Sequence, residues 1–86
     1  MDINELIAIV KKKLTDKIDI ESIKIEDKSF LHKNHAGNQE GRYHLKIILS
    51  SNELKVLSRI ESNKRVYKIL DKELKKHIHS IQILIT

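Results

Sequence analysis

The stretch 66–86, VYKILDKELKKHIHSIQILIT, constrains the fold more than any other part of the chain. Val66, Ile69, Leu70, Leu74 and Ile78 recur at steps of three and four, which makes one apolar stripe of a helix. From Ile81 the period becomes two: Ile81, Ile83 and Ile85 alternate with Gln82, Leu84 and Thr86, as in a strand over 79–85. His79 stands where one period gives way to the other. Packing on both sides of such a switch holds a side chain still, so His79 is the first candidate for a functional residue.

Upstream, Asp2 and Glu5 have capping-box spacing, and Ile3, Leu6, Ile7, Val10 and Leu14 keep helical periodicity, predicting a helix over 3–14. Lys11, Lys12 and Lys13 then fall in its last turn, where cations suit the helix dipole. Branched residues at Ile18, Ile20, Ile23 and Ile25 predict a strand over about 20–27, and alternation from Tyr43 to Leu49 predicts another over 42–50. The segment between them, 28–39, lacks apolar periodicity and reads as a long loop. Strands joined by a loop alone are expected to be antiparallel. Ser51 can cap a short helix carrying Leu54 and Leu57; Ile60 then bridges to a longer helix, capped by Ser62 and running to about His77. The last strand returns beside the sheet, most simply parallel to a strand already there. The expectation is a small α+β domain spanning 1–86, in α-β-β-α-α-β order, with a three-stranded mixed sheet and one small core.

Burial must come from aliphatic side chains, because aromatics make up only 3% of the chain. There is no cysteine, so the chain has no thiolate of its own and any metal must be taken through His, Asp or Glu, or shared with a partner. No apolar run approaches the roughly 18 residues of a membrane span, and the start lacks the apolar core of a secretion signal, so a cytoplasmic protein without membrane attachment is expected. The net charge of +5 favours acidic partners, including nucleic acid.

Five histidines are the main chemical signal: His32, His35, His44, His77 and His79. His32-x-x-His35 and His77-x-His79 are spacings a metal site can use. His77 falls in a helix's last turn and reads as a cap, while His44 reads as a half-buried structural residue on the face of its strand opposite Tyr43 and Leu45. A loop histidine, His32 or His35, closing on the fixed His79 could hold a labile metal. No nucleophile–base pair or phosphate-cradling loop is present, so an enzyme is not expected. A helix–turn–helix bearing Lys64, Arg65 and Lys68, with Lys55, Arg59 and Lys72, is the candidate surface for a partner or nucleic acid. Tyr67 lies next to the helix stripe and is expected in the core.

From about Leu6 onward the residues resemble the BolA-like proteins. The similarity is carried by Asp27-x-Ser29-x-x-His32-x-x-His35-x-Gly37, then Gly41 and His44 before an aliphatic strand and Ser51, and later Val66-Tyr67, Leu70, Glu73-Leu74 and Ile78-His79. The chain departs from the family where Ser62-Asn63-Lys64 stands for Arg-His-Arg, and where Leu45 and Leu54 stand for phenylalanines. The resemblance implies a type II KH-like fold and an accessory role in iron–sulfur trafficking or iron sensing. It further implies a monomer that forms a heterodimer with a monothiol glutaredoxin and glutathione, holding no cofactor alone. In that complex a bridging two-iron two-sulfur cluster would be ligated on one side by the partner's thiolates. On the other side would stand His79 and a loop histidine, either His35, by its distance to His44, or His32, by its distance to Ser29, with His35 preferred. Imidazole replaces thiolate at Rieske clusters in the same way. The same family also implies DNA-binding transcriptional regulation as the alternative.

Overall fold

The computed structural model describes residues 2–29 and 42–86. His32 and His35 lie outside the described residues. The element order is α1 (Ile3–Lys17), β1 (Ser22–Asp27), β2 (Tyr43–Ser50), α2 (Asn52–Lys55), α3 (Arg59–Ile69), α4 (Asp71–Lys76) and β3 (Ile78–Ile85). The sheet order is β1-β2-β3, with β1 antiparallel and β3 parallel to the central β2, as the sequence predicts.

The helix ends show which local signals decide. Asp2 caps α1 through the Glu5 N–H, 2.9 Å away. The helix runs one turn past the expected end, and Thr15 Oγ1 donates back to Lys11 O at 2.9 Å within that turn. Lys17, rather than the 11–13 run, therefore occupies the last turn. Ser51 caps α2, but the helix is one turn long and Leu57 lies beyond it. The cap of α3 is Ser58, which accepts the Glu61 N–H at 3.1 Å, and not Ser62. Ser62 is buried inside the helix and donates to Arg59 O. The long helix expected up to His77 is two, broken at the buried Leu70, which ends α3 and begins α4.

One face of the sheet carries the core. Leu6, Val10 and Leu14 of α1 and Val66 and Leu70 at α3 pack with Leu45, Ile47 and Leu49 of β2 and with Ile78 and Ile83 of β3. Each such side chain stabilises the fold by roughly 1.5–3 kcal/mol relative to exposure. Lys13, expected to serve only the dipole of α1, instead reaches across to α4: its Nζ donates to Glu73 Oε2 at 2.6 Å, and Glu73 is only 5% exposed. Tyr67 is 42% exposed, so the expectation that it joins the core is corrected. Position 67 falls beside Val66 on the outward side of α3, and the aliphatic stripe fills the inward side without it.

Candidate functional site

The site is built where α4 passes into β3. His77 is the C-cap of α4: its N–H donates to Glu73 O at 2.8 Å and its carbonyl accepts the Tyr43 N–H at 2.9 Å. The cap role expected for His77 is therefore carried by its backbone, which welds the end of the helix to the start of β2. His79 comes two residues later, inside the strand rather than at the junction itself.

The ladder between β2 and β3 is irregular at this point. Tyr43 pairs with Ile78 and His44 with Ser80, so His79 is an extra residue with no partner across the ladder. Such a bulge is uncommon between parallel strands, and it re-aims a side chain. Here it also reconciles two packing demands. Ile78 and Ile81 are three positions apart yet both pack into the core, which strict alternation forbids. His79 is left exposed, and none of the hydrogen bonds among the described residues involves its ring.

His44 is 6% exposed. Its Nδ1 shares a hydrogen bond with Ser80 Oγ at 2.5 Å, and its N–H donates to Ser29 Oγ at 3.0 Å. Its ring lies 4.9 Å from that of His79, centroid to centroid, tilted by 37°. His44 is thus more deeply buried than the half-buried structural role expected for it, and it is the ring against which His79 rests. His44 pairs with Ser80, the neighbour of His79, so it is the parallel pairing of β2 with β3 that brings the two histidines together. A cleft of about 360 Å³ opens alongside, lined by Lys28, Leu45, Lys46, Ser80, Ile81 and Gln82 around His44.

Among the described residues no group of three or more His, Asp or Glu side chains could hold a metal ion. The donors fit a shared centre instead: one accessible imidazole at His79, with His44 already bonded through Nδ1 to Ser80. A ligand set of that kind is complete only with the loop histidines or a partner's thiolates, in keeping with a chain without cysteine.

The basic residues lie elsewhere. Lys64, Arg65 and Lys68 are on α3, with Lys64 and Lys68 exposed. Arg65 is committed to an ion pair with Glu53 of α2, whose other oxygen accepts the Asp19 N–H at 3.4 Å. The structure therefore brings His44 and His79 together and keeps the lysines of α3 apart from them.

A family model described as BolA-like protein matches residues 14–86. The chain is 25% identical over 75 residues to a protein of Haemophilus influenzae named DNA-binding transcriptional regulator BolA, covering 87% of this chain and 70% of that one. Among solved structures, the BolA domain of SufE1 from Arabidopsis thaliana superposes with a TM-score of 0.77 at 24% identity, over 92% of this chain and 87% of the other. BolA1 from the same plant gives 0.76 at 23% identity, with the same coverage of both chains. With the family model spanning residues 14–86, the chain belongs to the BolA-like family.

Proposed function

We propose that this protein is a non-catalytic accessory factor that joins a monothiol glutaredoxin and lends it histidine ligands for a shared two-iron two-sulfur cluster. The observation that carries this reading is the accessible imidazole of His79, held on a strand bulge in a chain without cysteine. When bound, the cluster would supply the iron and sulfide to be handed on or sensed. His79 would be the fixed ligand, and His35 or His32 the second. The chain's own contribution is orientation. The bulge turns His79 out of the ladder, the Ser80 hydroxyl fixes the ring of His44, and His44 limits how the ring of His79 can lie.

The test is to mix the protein with a cluster-loaded monothiol glutaredoxin and record visible absorption and circular dichroism. The expected result is a changed spectrum with a one-to-one complex. Mixing that leaves the spectrum of the glutaredoxin unaltered would overturn the reading.

The name of the Haemophilus relative supports a second reading, DNA binding through α3. Lys64 and Lys68 are free to meet phosphates, whereas Arg65 would first have to leave Glu53. On this reading Lys64→Glu with Lys68→Glu lowers both affinity and its salt dependence, by about one unit of slope for each lost phosphate contact. No binding of duplex DNA by the unaltered protein at low salt would eliminate it.

A further inference from the structure

The two edges of the sheet are protected unequally. β1 reads SIKIED and carries Lys24, Glu26 and Asp27, charges that deter the addition of another strand. β3 reads IHSIQILI and has neither a charged Asp, Glu, Lys or Arg nor a proline. Its bulge affects only the His79 end; over 81–85 the pairing with β2 is regular. The Thr86 N–H donates to Leu49 O of β2. Backbone groups alternate in direction along a strand, so those of Ile81, Ile83 and Ile85 face the outer edge. β3 ends the sheet, and among the described residues no hydrogen bond outside the strand pairing satisfies these groups.

A groove of about 410 Å³ runs beside this edge. Leu54 of α2 and Leu57 of the α2–α3 turn line one side, Ile83 and Ile85 the other. Lys55 and Arg59 also line it, and no carboxylate does. Val56 on the same turn is 84% exposed, and Ile60 in the first turn of α3 is 68% exposed. A surface that combines an open strand edge, aliphatic walls and two cations is complementary to one kind of occupant.

We propose that this groove docks an extended, acidic segment of a partner protein, which adds as a fourth strand along residues 81–85 of β3. About five residues, spanning roughly 17 Å, match that stretch. Main-chain bonds from the segment satisfy the outward groups of Ile81, Ile83 and Ile85. Alternate aliphatic side chains of the segment enter between the leucine and isoleucine walls, and its carboxylates meet Lys55 and Arg59. A second copy of this chain is the poorer occupant, since it brings its own charge of +5 to a cationic lip. Single-stranded nucleic acid is poorer too, because no aromatic ring lines the groove for a base to stack on. The site sits at the opposite end of β3 from His79, so both can be occupied together.

The experiment is a selection of random ten-residue peptides displayed on phage against the full chain, with a Lys55→Glu, Arg59→Glu variant as the comparison. Both substituted residues are exposed, and unchanged far-ultraviolet circular dichroism would show that the variant is folded. The expected result is enrichment of acidic segments with alternating aliphatic residues, and a synthetic winner that binds the variant at least about tenfold more weakly. On titration the amides of Leu57, Ile83 and Ile85 shift, and N-methylation of alternate amides of the peptide abolishes binding. No enrichment, a winner with equal affinity for the variant, or shifts confined to another face would overturn the proposal. So would displacement of the peptide by single-stranded oligonucleotide from the same residues, or a protein that is already a dimer with Ile83 and Ile85 amides protected from exchange.

Discussion

The two ends of β3 are built differently within eight residues. At the start, Ile78, His79 and Ser80 break the pairing with β2, expose one imidazole and tie down another. At the finish, Ile83, Leu84 and Ile85 continue the ladder without interruption, and Ile83 and Ile85 pack on the core. The first half has the features of a ligand-bearing site, and the second those of a structural strand. A bulge separates them, and it allows the polar end to be re-aimed without disturbing the apolar end. Function and stability are expected to respond to different residues of one strand.

Truncating the apolar end gives the largest effect. Ile83→Ala is expected to cost about 3 kcal/mol in chemical denaturation, since it opens a cavity between the sheet and the helices. His79→Ala, in the same strand but exposed, is expected to stay within about 0.5 kcal/mol of the unaltered protein. Equal losses for the two would remove the distinction between the ends.

Next comes the pin that holds α1 against α4, the helix that delivers His79. Lys13→Met leaves Glu73 charged and buried without its partner, at a cost of about 2 kcal/mol, softened because the lysine side chain is 37% exposed. Adding Glu73→Leu is expected to recover most of that loss; a double variant as unstable as the single one would show that the ion pair is not what matters.

His44→Ala should fall between the two ends of the strand. It loses the bond to Ser80 and a buried ring, about 1.5 kcal/mol by thermal melting. Unlike a purely structural loss, it should also alter the NMR line positions of the His79 ring, which rests against it. An unmoved His79 signal would break the link between these rings.

The smallest effect concerns pH. The hydrogen bond from Lys28 foremost holds Glu26 below its ordinary value of 4.5 against the opposing effect of desolvation, with lesser help from the charges of Lys28, Lys24 and Lys46. A lowered folded-state value means that stability from this group is present above the ordinary value and lost as pH falls through the lowered one. The side chain is 28% exposed and solvent screens the pair, so the effect is small. Glu26→Gln should melt slightly below the unaltered protein at neutral pH, and the gap should close as the solution is acidified below the carboxylate range. A gap that widens on acidification would contradict the sign.

The same contrast explains what could be read from the sequence. Periodicity and caps located the three strands, α1 and α2, because these are local signals, but they ran α3 and α4 together as one helix; the parallel return of β3 was expected from the helical connection before it. The bulge has no local signature: it exists because Ile78 and Ile81 must both reach the core while paired with β2. Likewise Ser58 and Ser62 are both acceptable caps by type, and only the packing of Ser62 into the interior decides between them. Lys13 and Glu73 are 60 positions apart, so their pairing depends on tertiary structure alone. His79 was legible as the histidine near the change of period; that His44 is the ring beside it follows only from strand pairing.

The most direct test of the central claim, that the His79 end of β3 is a ligand site separable from the fold, is visible circular dichroism of cluster-loaded monothiol glutaredoxin mixed with His79→Ala. The account predicts a native melting curve for the variant and loss of the spectral change that the unaltered protein produces. The same spectral change from the variant would contradict it.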